Sequence, residues 1–157
     1  MSIKIWEKIA LSCVLLLSLF LYTYKLDTIP SAVYSDEATV GYNAYSILKT
    51  GKDEWGNFLP SIFPAFGDYK LPVYVYASLP SVAIFGLNIF SVRLVSSLAG
   101  VLAVYGIYLL TNLVFSLAKL NFSYKGFGAG HFAALILSLL PWHIFLSRPA
   151  LEANLAL

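Results

Sequence analysis

The sequence predicts an all-α integral membrane protein, and three observations carry that prediction. Hydrophobic residues make up 59% of the 157-residue chain and charged side chains only 11%, where a soluble domain carries roughly 25% charged. Uncharged runs long enough to cross a bilayer recur along the chain, and the mean hydropathy is +0.78. Tyr and Phe number 11 each, which suits repeated contact with membrane–water interfaces. A net charge of +2 points to neither nucleic acid nor an acidic partner. The lone cysteine, Cys13, excludes a disulfide within the chain and leaves the redox compartment open.

The first span is expected over about residues 8–24. An uncharged run begins at Ile9, after Lys4, Glu7 and Lys8, and Trp6, Tyr22 and Tyr24 serve as interface anchors. Tyr22, Thr23 and Tyr24 offer no small-residue cleavage site, so the segment reads as an uncleaved anchor rather than a signal peptide. Residues 25–91 form a polar outer loop with helical content. In it Ser35 is a candidate N-cap, and Val40, Ala44, Ile47 and Leu48 fall on one helical face. Gly51 supplies a stop, which predicts an amphipathic helix over about 35–50 lying on the membrane. The segment 52–57 is turn-rich.

Residues 71–90 are uncharged but interrupted by Pro72, Pro80, Gly86 and Asn88. Spans are expected over about 92–117 and 127–146, the latter containing His131 and reaching Pro141, Trp142 and His143. Charge decides the topology. If 71–90 does not cross, Lys4 and Lys8 share a side with Lys119 and Lys125, as the positive-inside rule asks. Three spans follow, with 72–85 as a second interfacial helix and residues 1–157 as a single membrane domain. Residues 152–157 read as the opening of a further helix, so the chain is expected to be the N-terminal part of a longer module, inactive by itself.

In that arrangement the polar features of one face are Asp36 with Glu37, Asp68 to Lys70, Arg93, and Ser147 and Arg148 with Glu152. Acids in a first helical turn are stabilised by roughly 0.3–1 kcal/mol through the dipole. The functional reading is a general base for an acceptor hydroxyl. Lys70 stands before Leu71 and Pro72, so its charge meets the free N–H groups of a helix start, a combination that binds anions; alternatively it snorkels to headgroups. Arg148 before Pro149 repeats the device, although Arg148 and Glu152 are also spaced for an i, i+4 ion pair. Arg93 reads as an interface anchor. His131 and His143 have no acid or cysteine at ligand spacing, so no metal site is expected from them.

The order of these features resembles the start of polyprenol-phosphate-sugar-dependent glycosyltransferases. An apolar helix leads to Asp36-Glu37-Ala38 and an amphipathic helix ending in Gly51. Next come Lys70-Leu71-Pro72-Val73-Tyr74, Phe85-Gly86 and Arg93-Leu94, and then Pro141 ahead of Ser147-Arg148-Pro149-Ala150 with an acid at Glu152. The chain is similar to the N-terminal part of the glycosyltransferase family 39 group, which includes protein O-mannosyltransferases and bacterial aminoarabinose transferases. That likeness implies a multi-spanning GT-C fold in the plasma membrane, with the site on the extracytoplasmic side. It implies Asp36 as the catalytic carboxylate beside Glu37, Lys70 at the lipid-linked phosphate, and an acid of the second outer loop at Glu152, where the family commonly has Asp. Arg148 is expected to assist Lys70 at the phosphate.

The implied partners are a polyprenyl-phosphate sugar donor, a lipid, glycan or protein acceptor, and membrane lipids, with no nucleic acid. No cofactor is certain, and a divalent cation bridging Asp36 and Glu152 stays open. The alternative reading is a non-enzymatic membrane protein, a transporter subunit or scaffold. It predicts ionisable groups along the spans, whereas those between 94–118 and 127–146 are only the two histidines.

Overall fold

The computed structural model describes residues 5–65, 67–120, 122–124 and 127–152. Among them are six α-helices and two short hairpins: α1 (Ile5–Thr23), α2 (Ser35–Thr50), β1 (Phe63–Ala65), β2 (Asp68–Lys70), α3 (Pro72–Phe85), α4 (Ile89–Leu117), β3 (Ser123–Tyr124), β4 (Phe127–Gly128), α5 (Ala129–Leu139) and α6 (Pro141–Leu146).

Local chemistry sets most of the boundaries. The start of α2 lies one residue earlier than Ser35 suggested: Tyr34 is the N-cap, in extended backbone, and Glu37 reaches back to accept its N–H at 3.1 Å. Gly51 closes the helix at φ 72°, donating its N–H to Ile47 O at 2.9 Å. Pro72 begins α3. Pro80, expected to interrupt the segment, lies inside α3, which ends instead at Gly86 (φ 76°); Asn88 and Ser91 then cap α4 reciprocally: the Asn88 side chain accepts the Ser91 N–H at 2.8 Å, and Ser91 Oγ accepts the Asn88 N–H at 3.3 Å.

The last expected span is not one helix. It divides at Leu140, which is extended (φ −65°, ψ 116°), into α5 and the short α6 that Pro141 starts. Proline lacks an N–H and keeps the preceding residue out of the helical region, so the break falls where the sequence places it. The segment between α2 and α3 also carries a feature not expected from its composition. The hairpin β1–β2 pairs Phe63 with Lys70 and Ala65 with Asp68, and so delivers Lys70 to the start of α3.

α1 and α5–α6 run the same way, with α4 opposed. At one end Ser97 Oγ, near the start of α4, donates to Tyr22 O near the end of α1 at 3.2 Å, and the Tyr22 hydroxyl lies 2.9 Å from His143 Nδ1. At the other end His131 Nε2 meets Glu7 O at 3.1 Å. Gly100 permits the tight approach of α4 to the end of α6, since a Cβ there would stand 2.6 Å from Ser147 Cβ.

Two cores result. Tyr22, Val104, Tyr108 and Ala134 fill the centre of the long helices. Val40, Ala44 and Ile47 of α2 pack with Phe63, Tyr74, Val75, Val82, Val92 and Ala150 in a second core beside it. Leu48, expected on the same face, is exposed. α1 and α4 are long and apolar enough to cross a membrane, and only 17% of the most apolar stretch of each is buried. Leu16, Phe20, Leu102, Leu113 and Leu117 therefore face outward, as lipid-facing residues do.

Candidate functional site: an acid–lysine pocket and two buried arginines

Asp36, in the first turn of α2, stands 3.3 Å (Oδ1 to Nζ) from Lys70 at the end of β2. Both line a pocket of about 240 Å³, together with Val40, Ala150, Leu151 and Glu152. The sequence separation is large, and three elements are needed to close it. The capped α2 presents residues 36 and 40 on one flank, the hairpin brings in Lys70, and the segment after α6 supplies Ala150 to Glu152. The Asp36 side chain is 43% exposed and that of Lys70 is 14% exposed, so the carboxylate faces the pocket mouth while the ammonium lies deeper. An ion pair open to water on its Asp36 side is weakened by solvent screening. Three of the five residues expected at the site, Asp36, Lys70 and Glu152, thus meet in one pocket.

Glu37 and Arg148 do not join them in the expected roles. Glu37 is buried, and both of its oxygens are bonded. Arg93 Nε donates to Oε1 at 2.8 Å and Nη2 to Oε2 at 2.9 Å, the Ala150 N–H donates to Oε1 at 2.8 Å, and the Tyr34 N–H donates to Oε2. Burial alone pushes the Glu37 carboxyl up. The Arg93 guanidinium, with the Ala150 and Tyr34 N–H groups, outweighs it and holds the carboxyl below the usual carboxylate range. An anion so held makes a poor proton acceptor, and Glu37 turns toward Arg93 while Asp36 turns toward Lys70.

Arg148 is buried as well, and its guanidinium faces backbone carbonyls instead of the pocket. Nη1 donates to Leu21 O at 2.7 Å, Nη2 to Tyr24 O at 2.5 Å, and Nε to Ile29 O at 3.1 Å. A cation at the C-terminal carbonyls of α1 complements the helix dipole. No helix starts at Pro149 among the described residues, so the anion-binding device expected there is absent from this segment. Of the two cations expected at the phosphate, Lys70 lines the pocket and Arg148 does not.

Arg93 is the residue that the sequence reading missed. Instead of reaching to headgroups it is fully buried, and beyond Glu37 it donates to the carbonyls of Leu26 (3.1 Å), Pro30 (2.8 Å) and Ala32 (2.8 Å). A lone arginine just inside an apolar span was the available signal, because a charge there needs a partner. The two arginines together pin the link between α1 and α2.

Among the described residues no three His, Cys, Asp or Glu are placed to hold a metal ion. The Lys70 ammonium beside Asp36 would oppose a divalent cation bridging Asp36 to Glu152. On the other flank of α2 lies an apolar pocket of about 340 Å³, lined among others by Val33, Ala38, Gly41, Leu87 and Val92.

Comparison with protein-family models, with curated proteins and with solved structures finds no match for this chain.

Proposed function

We propose that this chain serves a membrane glycosyltransferase that moves a sugar from a polyprenyl-phosphate-linked donor to a hydroxyl of a lipid, glycan or protein at the extracytoplasmic face. The observation that carries the reading is the Asp36–Lys70 pair at 3.3 Å in a pocket shared with Glu152. A base and a cation held in one pocket supply the two roles that one displacement needs. Asp36 takes the proton of the acceptor hydroxyl as its oxygen bonds to the anomeric carbon. The bond from that carbon to the phosphate oxygen breaks, and the electron pair leaves with the phosphate, whose charge Lys70 meets. Preorganised charge of this kind is usually the largest catalytic term. A donor phosphate that draws Lys70 to itself also leaves the Asp36 carboxylate free to accept a proton.

The remaining arrangement is compatible with this chemistry. Asp36, Lys70, Arg93 and Arg148 all gather where α1 ends and α4 begins, the same end of the bundle. α5 and α6, on either side of the break at Leu140, are the candidate third crossing, and α5 packs against both α1 and α4. The positive-inside rule supports a topology with Lys8 and Lys119 inside and the pocket outside. The apolar pocket beside α2 has the lining that a lipid tail requires.

The test is sugar transfer by the full-length protein in liposomes containing a labelled polyprenyl-phosphate sugar, compared with Asp36→Asn. Loss of a general base lowers the rate by about 10²–10⁴-fold. Undiminished transfer by a correctly inserted Asp36→Asn protein would remove Asp36 from the mechanism. Failure of the unmodified protein to consume any such donor would remove the activity.

A further inference from the structure

We infer that Glu37 is a positioning residue whose buried carboxylate, gripped by Arg93, sets the spacing between the Asp36 wall and the Glu152 wall of the pocket. The inference rests on the pocket geometry and, for its kinetic consequence, on the function proposed above.

The geometry is that of a four-way junction. Through Oε1, Glu37 holds both Arg93 Nε of α4 and the N–H of Ala150. Through Oε2 it holds Arg93 Nη2 and the N–H of Tyr34, the cap of its own helix. Asp36 precedes Glu37 on α2, so fixing Glu37 fixes the rotation of the first turn and with it the direction of Asp36 toward Lys70. Ala150 lines the same pocket as Leu151 and Glu152, so the bond from its amide fixes the opposite wall.

One carboxylate thereby locates both sides of the cavity relative to α4, and Arg93 carries the lock on to the link between α1 and α2 through Leu26, Pro30 and Ala32. A carboxylate is suited to this because it alone among side chains offers two oxygens that accept a bidentate guanidinium and still accept backbone N–H groups. Glutamine keeps the shape but turns an NH₂ toward Arg93. Aspartate keeps the charge but shortens the reach by one methylene.

Two arms test the inference in the full-length protein. The first reads the pocket without any activity. In a Cys13→Ala background, Asp36→Cys and Leu151→Cys are bridged by a short bis-maleimide, with Glu37 intact or replaced by Gln. Cross-linking is expected to slow by about tenfold when Glu37 is replaced, as the walls lose their common anchor. The second arm keeps Asp36 and reads transfer per folded molecule. Glu37→Gln should lower kcat by about 10- to 100-fold while donor KM stays within about threefold, since Lys70 is untouched.

A purely structural role would reduce the yield of folded protein and leave both readouts of the surviving molecules unchanged, and that result would overturn the inference. If Glu37→Gln does not fold, replacing the Ala150 amide by an ester removes only the N–H that couples Glu37 to the far wall; unchanged cross-linking and kcat there would equally overturn it. Slower cross-linking in a protein that transfers no sugar would uphold the positioning role and reject the proposed activity instead.

Discussion

Replacing Arg93 by Met should be the most damaging single change outside the pocket. The substitution preserves much of the side-chain length and removes five donors. It leaves the Glu37 carboxylate, 3% exposed, buried beside no cation. Breaking a buried pair from one side costs about 3–5 kcal/mol. The Leu26 carbonyl, on a residue that is 1% exposed, loses its donor too, which adds about 1 kcal/mol, whereas the carbonyls of Pro30 and Ala32 lie nearer water. A loss of roughly 4–6 kcal/mol against a typical total of about 5–15 kcal/mol would leave the fold marginal. Denaturant unfolding of the purified protein in mixed micelles measures it.

The double variant Arg93→Met with Glu37→Gln should recover part of the loss, with a coupling of about 2–3 kcal/mol between the two sites. Lys70→Met is the control. It removes the same charge from a pair whose carboxylate is 43% exposed and should cost clearly less than Arg93→Met. The reasoning fails if Arg93→Met and Lys70→Met prove equally mild, or if the cycle shows no coupling.

Three further outcomes are expected. Because the Glu37 carboxyl is held below its ordinary value of about 4.3, its contribution to stability is fully present above that pH and is lost as pH falls through the depressed value; acid unfolding of the natural protein should be steeper below about pH 4.3 than that of Glu37→Gln. At Gly100 a methyl group would press on Ser147 and on Tyr22, so Gly100→Ala should cost about 1–3 kcal/mol, read in the same unfolding assay. Single cysteines at positions 36, 70 and 122 in a Cys13→Ala background should label differently with an impermeant thiol reagent in right-side-out vesicles, the first two reacting and Phe122→Cys protected; equal labelling of all three would refute the placement of the pocket across the membrane from the α4–α5 link.

Much of the architecture was readable from local signals. The runs of uncharged residues gave α1 and α4 because lipid demands length and apolarity from any crossing helix. Gly51, Pro72, Gly86 and Asn88 placed the ends of α2, α3 and α4, since each acts on the backbone within a few residues of itself. Asp36 and Lys70 stood out as charges next to helix starts, and their chemistry was legible before their distance was. The hairpin that carries Lys70 was not, because residues 63–70 have no alternating pattern to announce it.

What composition and spacing could not reach was the division of labour among the charges. Glu37 and Asp36 are chemically near-equivalent neighbours, and only the fold turns one toward Lys70 and the other toward Arg93, 56 positions further along. Arg148 and Lys70 both precede a proline, yet one faces carbonyls at the end of α1 and the other faces the pocket. The cause is desolvation. Whether a charge acts as a buried fastener or stays available to a ligand depends on which partners surround it in space, and those partners come from segments far apart in the chain.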